Sequence, residues 1–404
     1  MHVLLSPVGS RGDVQPMAAL GQELLAAGHR VTFCAPENFR DLAQGVGLRF
    51  VKGAADVQTI VQSLGERAGN PVTFLRVARQ GLDESYERLD EACQDVDVLV
   101  GTPLSVACAT IAEQRRLPLL WACYFPASFP TSELPTPLYS GHARRVWFNE
   151  VSWWATRVMC NLSVLDLINR QRARRKLAPI RDVFAHEGAA GPYLLAFDAE
   201  LAPPIRDATV TTHPTGFWFL ESNEPLPAPV EAFLSDGEPP VYIGFGSMPS
   251  DDPAGQTRIL ADAVEIAGCR ALLSAGWAGL GQGLTSPRML TIGPVNHSLL
   301  LPRMAAVVHH GGAGTVAAAA RAGVPQIVAP HIFDQFYWSR RVHEVGLGPP
   351  PLPVRFTARQ LADALVETLA SRAMQERARE VGERLRRERG TRRAAEIIER
   401  VARG

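Results

Sequence analysis

The chain has 404 residues, 41 Lys and Arg against 41 Asp and Glu, and 46% hydrophobic residues. That length predicts two domains, each large enough to bury a core without a metal or disulfide staple. A formal net charge of zero argues against a dedicated nucleic-acid binder, which carries a basic excess, and the apolar content excludes a disordered chain.

Taken in chain order, the first half alternates strand and helix signals. His2–Ser6 reads as a buried strand, and 14–27 has helical periodicity closed by Gly28. A strand over 30–35 and a helix over 37–45 follow. Residues 97–101 and 119–123 are short apolar strands, with a helix over 106–115 between them. This rhythm predicts parallel strands joined by crossover helices. The middle departs from it. Residues 124–137 are rich in Pro, Ser and aromatics and read as a loop, 143–175 as one or two helices, and 193–197 as a strand.

A polar, Pro-rich stretch at 221–229 and then Glu238-Pro239-Pro240 signal a linker. The rhythm then restarts. Strands are expected at 241–245, 270–274, 289–292, 306–309 and 326–329, and helices at 255–267, 298–302, 315–322 and 335–345. From 357 the tail is helical, with interleaved Arg and Glu that read as solvated faces. The expected division is an N-terminal domain 1–216, a linker 217–230, a C-terminal domain 231–385, and a helix over 386–404 packing back on the first domain. Two α/β halves make a cleft between them the default ligand site.

Six cysteines, at 34, 93, 108, 123, 160 and 269, form no C-x-x-C pair and no zinc spacing with His. They read as reduced thiols of a cytoplasmic protein, and no metal site is expected. Residues 1–5 lack the basic flank of a signal peptide, and no apolar run is long enough for membrane insertion.

Five segments carry chemistry. In AVVHHGGAGT at 306–315 a short apolar strand runs through His310, Gly312 and Gly314 into a helix opened by Thr315. Small residues let a backbone approach a phosphate, and a helix start supplies free N–H groups and a favourable dipole. The bland alternative is a tight strand-to-helix turn with a buried His. Gly312-x-Gly314-x-x-Ala317, with Asp334 further on, also matches the loose dinucleotide fingerprint. A NAD(P)-dependent oxidoreductase is therefore the alternative reading.

SPVGSRGDVQP at 6–16 also joins a strand to a helix. Asp13 there is either an N-cap or a carboxylate at a strand end, placed to act as a general base. VYIGFGSM at 241–248 offers Ser247 to a phosphate, or is an ordinary βα loop. Asp334 and Gln335 in PHIFDQ suit a polyhydroxylated ligand, or Asp334 caps a helix. Trp277 in SAGW could stack on a nucleobase, or simply pack.

Together, SRGD at 10–13, GFGSM at 244–248, SAGWAGL at 274–280, HHGGAGT at 309–315 and FDQ at 333–335 are similar to the GT-B nucleotide-sugar glycosyltransferases. The resemblance is to the bacterial natural-product enzymes of the vancomycin and macrolide groups and to their sterol-glucosylating relatives. It implies an α/β fold of two Rossmann-like domains whose parallel sheets face across a cleft. It implies an inverting, metal-independent transfer from a dTDP- or UDP-sugar to a hydroxyl of an apolar aglycone, without a further cofactor.

By the same resemblance Asp13 is the base, with Ser10 beside it. His310, Gly312, Gly314 and Thr315 cradle the diphosphate, with Ser247 helping. Trp277 and the Val295 backbone contact the nucleobase, and Asp334 and Gln335 the donor sugar. The aromatic segment 124–154 is read as lining the acceptor pocket, through Tyr124, Phe125, Phe129, Tyr139 and Trp147, with ordinary core as the alternative. Expected partners are the nucleotide sugar and a small apolar acceptor, with no nucleic acid, in a monomer or homodimer. A non-catalytic GT-B binding protein is a further alternative, which retention of Asp13 and of the phosphate motif argues against.

Overall fold

The computed structural model describes residues 1–53, 79–103, 105–139, 145–222, 224–246, 248 and 250–403. They divide into two compact units, one of residues 1–220 with 389–404 and one of residues 221–388.

The first unit is built on β1 (His2–Ser6), β2 (Arg30–Ala35), β3 (Arg49–Lys52), β4 (Val98–Gly101), β5 (Leu119–Cys123), β6 (Tyr193–Leu195) and β7 (Thr212–Pro214). The strands are parallel, in the order β3-β2-β1-β4-β5-β6-β7. Every residue of β1, β4 and β5 is buried, because crossover helices cover both faces of a parallel sheet. Those helices include α1 (Arg11–Ala26), α2 (Arg40–Gly45), α3 (Leu82–Ala92), α4 (Ala107–Arg115), α5 (Val146–Arg174) and α6 (Val183–Ala190).

The second unit repeats the plan with β8 (Val241–Gly244), β9 (Ala271–Ser274), β10 (Met289–Ile292), β11 (Ala306–His309) and β12 (Gln326–Val328). Its parallel order is β10-β9-β8-β11-β12. The helices are α7 (Ala228–Ser235), α8 (Pro253–Ala267), α9 (His297–Leu300), α10 (Ala313–Ala322), α11 (Gln335–Glu344), α12 (Ala358–Ala370) and α13 (Arg372–Arg386). The expected class, α/β with two parallel sheets, is the one observed.

Each sheet has a point where the strand order reverses. In the first, β1 lies beside β4, with Ser6 opposite Gly101. In the second, β8 lies beside β11, with Gly244 opposite His309. Open α/β sheets bind ligands beyond the carboxyl ends of the strands at such points. The loops leaving β1, β8 and β11 are those that hold three of the sequence motifs.

The final helix, α14 (Gly390–Arg403), belongs to the first unit. Its Ala394, Ala395 and Ile398 share a core with Val14, Leu20 and Leu24 of α1 and with Trp218. Gly390 starts it where any Cβ would lie 2.2 Å from the Phe217 carbonyl oxygen. His29 and Glu399 meet at 2.9 Å across the same packing.

Five elements lacked a clear sequence signal, among them α7, whose first turn falls in the Pro-rich stretch read as linker. β3 and β7 are the edge strands, short and half-solvated, so they lose the apolar run of a central strand. α3 buries only Tyr86 and Leu89 within a highly charged sequence. α6 is only eight residues long. The division falls after Leu220, and Phe217 and Trp218, inside the segment read as linker, are buried. All six cysteines are free. Among the described residues no helix is long and apolar enough to cross a membrane.

Candidate active site

In the first unit the site starts with α1. Ser10, not Asp13, is its N-cap, and Asp13 is the third helical residue of a capping box. The Ser10 backbone N–H donates to Asp13 Oδ2 at 2.8 Å, and the Ser10 hydroxyl to the same oxygen at 3.2 Å. The Gly12 N–H in turn donates to Ser10 Oγ at 3.3 Å. Asp13 is partly exposed. Burial among its neighbours pushes its carboxyl up to about 6, against the Ser10 hydrogen bonds that pull it down. A group that is ionised at neutral pH yet still appreciably basic suits proton abstraction.

The loop before Asp13 is tied down by a residue with no sequence signal. The Val8 N–H donates to Thr102 Oγ1 at 3.2 Å, and that hydroxyl donates to the Val8 carbonyl at 3.3 Å. Thr102 directly follows β4, so the reversal of strand order places it there.

In the second unit the loop after β11 is built by His309. Its Nδ1 accepts the Gly311 N–H at 3.0 Å, so Nε2 carries the proton and donates to Gln326 Oε1 at 2.9 Å. Burial holds this imidazole neutral, down to about 4. Gly311 has φ +90°, and a Cβ there would meet Val328 Cγ1 at 2.8 Å. Gly312 then caps α10 with no side-chain hydrogen bond, which leaves the helix start open to an external anion. Gly314 is exposed and Thr315 half-buried in its first turn.

His310 stands beside this helix start. Its Nδ1 is buried with no hydrogen-bond partner. Burial, then the neighbouring His309 and His331, push its pKa down to about 3. It is therefore a neutral donor or acceptor rather than a cation.

The other residues singled out in the second half of the sequence follow β8, β9, β10 and β12. The Trp277 backbone N–H donates to the Gly246 carbonyl at 3.0 Å, which links the loops after β9 and β8. Val295 packs half-buried against the cluster that contains Ile292, Leu300 and Val307. Asp334 precedes α11 without capping it through its side chain, and Phe333 before it has φ +51°, a strained value outside glycine. Gln335 is buried. Its Oε1 accepts the N–H groups of His331 at 2.8 Å and Ile332 at 3.1 Å, so in this structure the carboxamide braces the loop. Ser247 lies outside the described residues. No group of three or more His, Cys, Asp or Glu among the described residues could hold a metal ion.

The aromatic segment falls into separate groups. Phe129 keeps 2% of its surface and packs edge-on against Tyr193 at 5.2 Å, as a core residue. Phe125 is also buried. Tyr139 and Trp147 flank Phe148 at 4.8 and 5.9 Å, and Trp147 is 59% exposed. Tyr124 packs edge-on against Trp218, in the cluster that also holds Val14. Missed in the sequence were Thr102, Gln326 and Trp218, whose roles depend on distant partners.

Residues 3–132 match the glycosyltransferase family 28 N-terminal domain. Residues 286–401 match the C-terminal domain of the erythromycin biosynthesis protein CIII-like family. The chain is 35% identical over 381 residues to glycosyltransferase GtfE of Amycolatopsis orientalis, spanning 92% of this chain and 90% of that one. It is 31% identical over 387 residues to a sterol 3-beta-glucosyltransferase of Arabidopsis thaliana, spanning 90% of this chain and 60% of that protein. Among solved structures, glycosyltransferase VinC in complex with dTDP aligns over all of both chains with a TM-score of 0.69 and 20% identity, a likeness of fold.

Proposed function

The chain belongs to the glycosyltransferase family of these natural-product and sterol enzymes, and on that premise we propose that it moves a sugar from a dTDP- or UDP-sugar to a hydroxyl of an apolar natural-product acceptor, with inversion. The observation that carries this reading is Asp13: a partly buried, weakly acidic carboxyl held by Ser10 where the strand order of the first sheet reverses.

The first unit presents the acceptor and the second the donor. As the acceptor oxygen attacks the anomeric carbon, its proton passes to the Asp13 carboxylate and the new C–O bond forms. The bond from the anomeric carbon to the phosphate oxygen breaks, and its electron pair leaves with the nucleoside diphosphate. The charge gathering there meets the helix start at Gly312 and Gly314, the Thr315 hydroxyl and the neutral His310, with Ser247 helping. Trp277 and Val295 hold the nucleobase, and Asp334 and Gln335 the donor sugar. Tyr124, Phe125, Phe129, Tyr139 and Trp147 belong to the acceptor side, with Phe129 acting from the core. The dTDP-bound VinC structure supports the donor class. Family membership sets aside the NAD(P) reading of Gly312–Ala317.

The experiment is a screen of dTDP- and UDP-sugars against hydroxylated polyketides, peptides and sterols, read by mass spectrometry, with Asp13→Asn beside the wild type. Transfer by the wild type with inverted anomeric configuration, lost in Asp13→Asn while nucleotide still binds, is expected. Full transfer by Asp13→Asn removes the base assignment.

A further inference from the structure

Tyr124 directly follows β5 and packs into the same cluster as Val14, the neighbour of Asp13. Burial first, and then the Asp13 carboxylate within electrostatic reach, push its phenol well above the ordinary value. The ring packs edge-on against Trp218 at 6.1 Å and 86°. Trp218 is itself fixed. Its Nε1 donates to Thr215 Oγ1 at 3.0 Å, that hydroxyl donates to the Leu195 carbonyl at 2.9 Å, and the indole sits in the core with Ala394 and Ile398.

The ring is thus held from one side, while the hydroxyl is buried with no hydrogen-bond partner. Buried phenols nearly always find a partner, because the desolvated O–H otherwise costs stability. An orphaned hydroxyl on a held ring, in the cluster that seats the residue next to Asp13, marks a place kept for a polar group of a ligand.

We infer that the Tyr124 hydroxyl is the second hydrogen-bond partner of the acceptor's reacting hydroxyl, an inference that rests on Asp13 being the base. The phenol donates a hydrogen bond to one lone pair of the acceptor oxygen. The acceptor O–H is then directed at Asp13, and the other lone pair is left for the anomeric carbon. No proton leaves Tyr124. As Asp13 takes the acceptor proton, negative charge gathers on the oxygen and this bond strengthens, so it contributes more in the transition state than in the ground state. Tyr124 therefore selects a hydroxyl that can reach the buried phenol and Asp13 together.

The test is Tyr124→Phe, which keeps the ring on Trp218 and removes one oxygen. Melting of the unliganded protein needs no substrate. It should stay level or rise by about 1–3 °C, since an unsatisfied group is lost. A fall of more than about 3 °C means the hydroxyl is bonded within the protein and overturns the inference. Kinetics use the acceptor that the wild type turns over best in the screen. The acceptor kcat/KM should fall about 10–100-fold, the donor KM should hold, and the share of donor lost to hydrolysis should rise. A kcat/KM within about threefold of wild type overturns it. Asp13→Asn separates this inference from its parent. An inactive Asp13→Asn with a wild-type-like Tyr124→Phe keeps the base and discards Tyr124, whereas an active Asp13→Asn discards the base.

Discussion

Ser10 donates two hydrogen bonds to one oxygen of Asp13, from its backbone N–H at 2.8 Å and its hydroxyl at 3.2 Å. The capping box that starts α1 also aims the proposed base, so the two readings of Asp13, helix terminus and catalytic carboxylate, describe one arrangement.

Asp13→Asn keeps an acceptor oxygen for the cap but cannot take a proton. Turnover should fall about 10²–10⁴-fold. Ser10→Ala removes the cap hydroxyl and should cost about 1 kcal/mol of stability with a smaller loss of kcat. Steady-state kinetics and denaturant melts on both variants check the split. Equal kinetic losses would remove the distinction between base and support.

The pH dependence has a definite sign. The proposed base must be ionised, so kcat/KM should drop on the acid side with an apparent pKa near the value of about 6 in the folded protein. Stability runs the other way. An acid whose folded pKa lies above the ordinary 3.8 binds more protons folded than unfolded. Its contribution is present below about pH 4 and is lost as pH rises through about 6. Asp13→Asn should therefore be at least as stable as wild type at pH 8. Thermal melts of both from pH 4 to 8 test this, and a wild type that melts higher at pH 8 contradicts it.

Gln326→Leu leaves the His309 Nε2 proton without its buried acceptor. A loss of about 1–3 kcal/mol in denaturant unfolding is expected. Nucleotide affinity, measured by calorimetry with UDP and dTDP, should weaken because His309 also shapes the Gly311 turn.

Gly311→Ala places a Cβ 2.8 Å from Val328 Cγ1 at a residue with φ +90°. Strain of about 1–3 kcal/mol is expected, together with weaker UDP and dTDP binding. A variant that binds either nucleotide like wild type would show that the loop does not cradle the diphosphate.

The proposed leaving-group contacts are an uncapped helix start and a neutral imidazole. Turnover should therefore survive EDTA, and added Mg²⁺ or Mn²⁺ should change it by less than about twofold. Loss of activity on chelation, restored by metal, would place a cation in the reaction.

The β11 loop was legible because its signal is local: an apolar run, then glycines, then an Ala-rich helix within 306–322. Gln326 was not, since only the pairing of β11 with β12 brings it to His309. The aromatic segment was legible as a cluster but not as contacts. Phe129 is drawn into the core by Tyr193, and Trp147 is left on the surface of α5. The buried pair Phe217 and Trp218 was hidden by the Pro-rich stretch that follows it.

By itself the sequence determined the class of the elements and the chemistry of the loops. Strand periodicity, glycine turns and helix starts are set by residues a few positions apart. The tertiary structure decided which loops share an edge. It put β1 beside β4 and β8 beside β11, so that Thr102 steadies the Asp13 loop, and it seated Tyr124 against Trp218 under a helix from the far end of the chain. Such contacts form because buried apolar faces and polar groups must find partners wherever the chain brings them, and no local pattern records that choice.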